Sequence, residues 1–281
     1  MLDGFWFSDP VAANSESLDP YGRPCPGAAK YPSANGSLKP LADAAHAAGL
    51  KLGIWQLFGV PKGAVTRRLP IFGSNGKYTA ADIALNSTVV PPCGWAAWEG
   101  FSVNISHPAA ELWYDSLALL WSEWDLDLVK LDCVFGGDWT TQRALETVAL
   151  STAIEKVPAT IALSLSPGGN MDAEKLRDAE PFATAARVAP DLHGEWYEVY
   201  PQFFMYARQF HQFVPNATTP GLYLDFDIYA AFREGEGDAL GCERDAGGNV
   251  AAVHDAVAFG VRRRHHCGCG LNPTGGESSG N

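Results

Sequence analysis

The chain has 281 residues, 47% of them hydrophobic, enough to bury a sizeable core in one large domain or two modest ones. Its 20 basic against 32 acidic residues leave a formal charge of −12, which argues against a surface that tracks nucleic-acid phosphates and against docking on anionic lipid. It contains no uninterrupted apolar stretch of the length a membrane span needs.

The opening "MLDGFWF" reads as strand from Leu2, and a turn-rich stretch follows over 8–40. "LADAAHAAGLKLGIW" predicts a helix with Leu41, Ala44, Ala45 and Ala48 on one face, a stop at Gly49 and a buried strand over 50–55. A long loop is expected over 56–106. "HPAAELWYDSLALLWSEW" then spaces Leu112, Ser116, Leu119 and Leu120 as a helix stripe, leading into the strand "LDLVKLD". The same alternation recurs as "TTQRALETVALSTAIEK" before "ATIALSLSP", "DAEKLRDAEP" before "FATAARVAP", and "EWYEVYPQFFMYARQFHQF" before "GLYLDFD". The strands open at Leu2, Leu50, Leu126, Thr160, Thr184 and Gly221. Beyond Phe232 the pattern fails.

Strands separated by helices imply parallel pairing, because parallel neighbours need crossover connections. A (β/α)8 barrel and a doubly wound open sheet both satisfy the alternation. Polar residues close nearly every strand: Asp3, Trp55, Asp132, Ser166, Arg187 with Asp191, and Asp225 with Asp227. Barrel enzymes gather their sites from several strand ends in this way, whereas an open sheet concentrates its site at one switch point and usually carries a glycine-rich phosphate turn. No such turn is found. The expected fold is therefore α/β, a TIM-type (β/α)8 barrel that is incomplete, with about six of eight strands, over 1–232. A poorly defined, low-complexity tail is expected over 233–281.

Asp3, Asp132, Asp191 and Asp227 would all point into one barrel mouth, and paired carboxylates are what glycoside hydrolysis needs. A single Asp after a strand is more often a turn or cap residue. Asp132 departs from that pattern because Lys130, two residues earlier, faces the same way and favours its ionised form. An inward Arg187 needs a partner, and Asp191 is the nearest acid in the chain. Trp6, Trp95 and Trp98 read as core or loop anchors rather than pocket walls, and Glu195 and Glu198 as acids suited to a helix N-terminus. "RRRHHCGCG" is too cramped for a zinc site built on two separated pairs, so no metal is expected.

"LDGFWFSD", "YGRPCPGAAKYPSANGSLKPLADAAHAAGLKLGIW", "DLVKLDCVFGGD", "RVAPD" and "YLDFD" occur in an order and spacing that resemble glycoside hydrolase family 27, over residues 1 to about 230. That family holds α-galactosidases and α-N-acetylgalactosaminidases. The resemblance implies a retaining mechanism on a (β/α)8 barrel, with Asp132 as nucleophile and Asp191 as acid/base. It further implies that Lys130, Arg187, Asp3 and Asp227 bind the sugar, and that Trp55 and Ser166 stand at sugar-binding positions usually held by Tyr and by an acid. In a retaining pair the carboxyl groups lie about 5–5.5 Å apart. Where the family pattern has two adjacent acids, this chain has Asp3 and Gly4. The missing acid would hold the exocyclic hydroxymethyl group of galactose, which β-L-arabinopyranose lacks. "DCVFGGD" and "SLSPG" are similar to a plant-type branch in which arabinopyranosidases occur. Cys133 stands one position earlier than the loop cysteine of many relatives; a disulfide with Cys93 and a buried free thiol are both open readings.

The activity implied is exo-hydrolysis of terminal α-D-galactosyl residues by double displacement, without cofactor. β-L-Arabinopyranosyl hydrolysis and a catalytically silent truncated barrel are the alternatives. The expected partners are galactose- or arabinopyranose-terminated oligosaccharides and glycoconjugates. A metal-dependent hydrolase is the weaker rival, because the strands offer no histidine ligands. Six cysteines and the sequons at Asn35, Asn86, Asn104 and Asn216 point to the secretory pathway, extracellular or vacuolar/lysosomal, although no signal peptide is visible. That mismatch leads to the expectation that the natural N-terminus is missing.

Overall fold

The structure, a computed structural model, describes residues 1–2, 6–9, 15–32, 34–85, 100–135, 140–167, 178–179, 181–187 and 223–225. Every described residue lies within one compact unit, Met1–Val250. In chain order the elements are β1 (Ser8–Asp9), β2 (Ser15–Glu16), α1 (Lys39–Ala47), β3 (Gly53–Leu57), β4 (Val60–Pro61), α2 (Lys62–Thr66), α3 (Ala80–Ile83), β5 (Gly100–Phe101), α4 (Ala110–Glu123), β6 (Leu128–Phe135), α5 (Thr141–Glu155), β7 (Ala162–Pro167), β8 (Ala185–Arg187) and β9 (Tyr223–Asp225).

The central sheet runs β3-β6-β7-β8-β9, every neighbouring pair parallel. Leu2 adds a further parallel bridge on the outer side of β3, its N–H donating to the Gly53 carbonyl at 2.7 Å and its carbonyl accepting from Trp55 at 2.8 Å. Spatial order thus follows chain order without reversal, as in the winding of a barrel; a doubly wound sheet would change direction at a switch point. Each of the six expected strand positions is occupied in this progression among the described residues. The part of the barrel seen is α/β and partial.

Local sequence accounts for the helices. α1 starts with Pro40 in its first turn, where the missing N–H costs nothing, and stops at Gly49, whose φ of +73° suits glycine. α5 begins at Thr140, whose Oγ1 accepts from the Arg143 N–H at 3.3 Å. The buried faces differ from those expected. On α1 only Ala42 is buried, beside Leu38 just before the helix, while Leu41 is exposed. On α4 Ser116 and Leu120 of the expected stripe are buried, but Leu119 is turned outward and the large inward side chains are Trp113, Leu117 and Trp121. A small apolar stripe leaves the rotation of a helix open by about one residue, and the large indoles, which bury the most surface, decide it.

The expected long loop over 56–106 holds short elements instead. β4 pairs antiparallel with β5, and α2 and α3 lie between them in the chain. Gly59 makes the tight entry possible: φ is +76°, and a Cβ there would meet the Phe101 carbonyl at 2.1 Å. Below this excursion α4 packs on α5 around buried polar groups. Glu146 accepts from Tyr114 Oη at 2.9 Å and from Gln142 Nε2 at 3.0 Å, and Gln142 Nε2 also reaches the Val103 carbonyl at 2.7 Å. No helix among the described residues is long and apolar enough to cross a membrane.

Candidate active site

Two carboxylates lie at either end of the regular ladder of β6, which breaks after Asp132, and their surroundings separate their roles. Asp127, at the N-terminal end, accepts from the Leu52 N–H at 2.8 Å, lies 2.8 Å from His46 Nε2 and pairs with Lys51 at 2.6 Å. Burial works against its charge, yet Lys51, His46 and Leu52 together hold its carboxyl below the ordinary range. This end of a barrel strand carries stability rather than chemistry.

Asp132 lies at the other end. The register sets Trp55 beside Lys130, Leu57 beside Asp132, Lys130 beside Ser164 and Asp132 beside Ser166. Parallel neighbours in register share a face, and side chains two residues apart share it too. Trp55, Lys130, Asp132, Ser164, Ser166, Ala185 and Arg187 therefore form one continuous surface across four strands. The polar members are deeply set: Lys130 is 4% exposed, Arg187 6% and Ser166 0%, whereas Asp132 is half-buried. A hydroxyl and two cations on the inner face of a sheet do not serve packing; they are retained where a polar ligand or a charge is to be met.

Each carboxylate oxygen of Asp132 carries an N–H donor. Trp55 Nε1 donates to Oδ2 at 3.0 Å, and the Cys133 backbone N–H donates to Oδ1 at 2.8 Å. Burial is the largest influence and pushes the carboxyl above its ordinary range; the two donors and the charges of Arg187 and Lys130 pull the other way. Lys130 favours the ionised form, as expected, together with Arg187, Trp55 and the Cys133 N–H. Four groups oppose a desolvation that exceeds their sum.

The indole of Trp55 is itself fixed. It stacks on Phe7 with centroids 6.2 Å apart and an interplanar angle of 9°, and the Trp55 carbonyl accepts from Trp6 Nε1 at 2.6 Å. Trp6 in turn meets Phe7 and Trp124 edge-on. Trp6 is a core residue, as its sequence context suggested. Trp55, read as a sugar-binding position, also donates to the carboxylate.

Of the residues singled out from sequence, the structure brings together Trp55, Lys130, Asp132, Ser166 and Arg187. Asp3, Asp191 and Asp227 lie outside the described residues, as do Gly4, Trp95, Trp98, Glu195, Glu198 and Cys93. Cys133 is disulfide-bonded, and its partner is not among the described residues. Sequence reading passed over Ser164 and gave Asp225 no role. The period-two alternation in "ALSLSP" puts Ser164 on the face of Ser166, and Arg187 stands at the register position beside Asp225. Ser166 Oγ has no hydrogen-bond partner among the described residues, so it is available to a ligand hydroxyl.

No protein-family model and no curated protein matches the chain. Solved structures do. The chain is 30% identical to a family 27 β-L-arabinopyranosidase from Geobacillus stearothermophilus, with a TM-score of 0.69 over 80% of this chain and 51% of that enzyme. A variant of the same enzyme in complex with arabinose matches to the same extent. A Bacillus halodurans protein assigned as an α-N-acetylgalactosaminidase is 29% identical, with a TM-score of 0.59 over 72% of this chain and 45% of that one. An isomalto-dextranase from Arthrobacter globiformis, at 14% identity and a TM-score of 0.53 over 80% of this chain and 40% of that enzyme, shares the fold alone. The chain spans about half the length of the arabinopyranosidase it matches. In sequence and in fold, the chain is thus similar to enzymes of glycoside hydrolase family 27.

Proposed function

We propose that the protein is a retaining exo-glycosidase acting on terminal galacto-configured pyranosyl residues, α-D-galactosyl in the first instance. The observation that carries this reading is the seating of Asp132: a half-buried carboxylate at the C-terminal end of an inner strand, with one N–H on each oxygen and Lys130 and Arg187 beside it. In this reading Asp132 attacks the anomeric carbon while Asp191, as acid, protonates the departing oxygen. Water then cleaves the glycosyl ester with Asp191 as base, so the anomeric configuration is retained. Lys130, Ser166 and Arg187, with Asp3 and Asp227, would bind the sugar hydroxyls. The carboxylates supply the chemistry without a cofactor.

A second reading, β-L-arabinopyranosyl hydrolysis, is favoured by Gly4 in place of an acid and by the 30% identity to an arabinopyranosidase. One hydroxymethyl group changes discrimination by only about 1–3 kcal/mol, so both activities on one site are physically compatible. Initial rates on the p-nitrophenyl glycosides of the two sugars test the preference, and proton NMR of the first-formed anomer tests retention. Inversion would reject the double displacement. Sugar binding without turnover of either glycoside would favour a silent barrel. We further place the protein in the secretory pathway, a reading supported by the sequons and by the disulfide at Cys133. Recovery of unglycosylated protein from the cytosol of the native cell would reject it.

A further inference from the structure

Cys133 has a backbone that its side chain does not favour. Its φ is +62°, in the left-handed region that a non-glycine residue rarely occupies. The conformation coincides with a break in the ladder: Asp132 is in register with Ser166 and Phe135 with Pro167, so β6 advances three residues while β7 advances one. A bulge of this kind re-aims the backbone at the point where it occurs. Here it turns the Cys133 N–H away from the ladder and onto Oδ1 of the preceding residue at 2.8 Å. The side chain is buried and its sulfur is tied in a disulfide. Three features meet at one residue: an unfavourable φ, a bulge and a covalent tether.

We infer that Cys133 is a positioning residue for Asp132: its disulfide holds the bulge in the left-handed turn that keeps the Cys133 N–H on the carboxylate, so the charge state of Asp132 depends on the thiol state of this chain. The inference rests on the proposed role of Asp132 only for its effect on turnover; the hydrogen bond itself does not. Opening the disulfide takes two electrons and two protons from an added dithiol, which becomes a cyclic disulfide while Cys133 and its partner become thiols. Freed of the tether, Cys133 relaxes toward negative φ and its N–H leaves Oδ1. Asp132 then keeps its burial but loses one of the two donors that favour its anion.

The test uses the full chain labelled with 15N-cysteine, oxidised and after dithiothreitol, with the signal missing from Cys133→Gly assigning the Cys133 amide. In the oxidised protein that amide should follow a carboxyl titration that disappears in Asp132→Asn, and after reduction it should cease to do so. In parallel, kcat/KM should fall about tenfold, with its acid limb moved to higher pH, and reoxidation should restore both. Cys133→Ala should behave as the reduced protein. Cys133→Gly also lacks the disulfide but adopts positive φ freely, and should exceed Cys133→Ala by about tenfold. An amide that ignores the titration when oxidised, or an unmoved acid limb in reduced protein and Cys133→Ala with only Tm lowered, would overturn the proposal. If Cys133→Ala does not fold, the oxidised and reduced samples still decide. A thiol-dependent amide titration in a protein that turns over neither glycoside would uphold this inference and reject the glycosidase reading.

Discussion

Replacing Trp55 with Phe removes one N–H donor from Asp132 Oδ2 and retains an aromatic ring facing Phe7. A hydrogen bond to a charged acceptor is worth about 1.5–3 kcal/mol, roughly ten- to a hundredfold in any step that needs the anion. The Cys133 N–H and the charges of Lys130 and Arg187 persist, so the lower end, about tenfold, is expected. Burial already holds the carboxyl above its ordinary range, and loss of a donor raises it further. The acid limb of kcat/KM should therefore move to higher pH, with a smaller change on the alkaline side. The assay is the pH profile of p-nitrophenyl galactoside or arabinopyranoside hydrolysis, with Phe7→Leu as a control that disturbs the stack but not the donor. A Trp55→Phe profile that superimposes on the wild type, with only Tm reduced, would refute the reasoning and leave Trp55 a packing residue.

Asp132→Asn should abolish turnover, by a thousandfold or more on the scale typical of a lost catalytic group, and near-normal rates would remove its assignment as nucleophile. The same variant changes the pH dependence of stability. Because the native carboxyl is raised, its contribution to stability is fully present below the ordinary carboxylate range and is lost as pH rises through the native value. Urea midpoints of Asp132→Asn should accordingly gain on the wild type between acid and neutral pH. Asp127 has the opposite sign. Its carboxyl is held down, so its contribution is present above the ordinary range and lost as pH falls through the depressed native value. Asp127→Asn should cost about 1–2 kcal/mol at neutral pH, chiefly through the Leu52 and His46 contacts because Lys51 is exposed, while the acid limb of activity stays in place. Tyr114→Phe takes a donor from buried Glu146 and should lower the unfolding free energy by about 1–2 kcal/mol, read as a lower urea midpoint at unchanged slope.

Strand positions were legible because each buried strand is a short apolar run between a helix end and a turn. The pairing of Lys130 with Asp132 on one face was legible because a two-residue step is the repeat of a strand. The rotation of α1 and α4 was not. Alanine and leucine stripes read equally well one residue round, and which residue is buried depends on where the sheet and the neighbouring indoles lie. The short elements over 56–106 were missed because helices of four or five residues carry no periodic signal. The family resemblance reached the site faster than periodicity did, but it gave no sign that the Trp55 N–H rests on the carboxylate.

By itself, the order of residues determined a parallel, singly progressing run of strands with an acid and a lysine on one inner face, since both follow from local repeats and connection lengths. Only the tertiary structure decided what surrounds that acid. Trp55 is separated from Asp132 by 77 residues and meets it because β3 and β6 pair in one register, and the Cys133 N–H reaches it because a bulge turns the backbone there. Contacts between distant segments depend on register and bulge, which are set by the packing of the whole sheet and leave no mark on any short stretch of sequence.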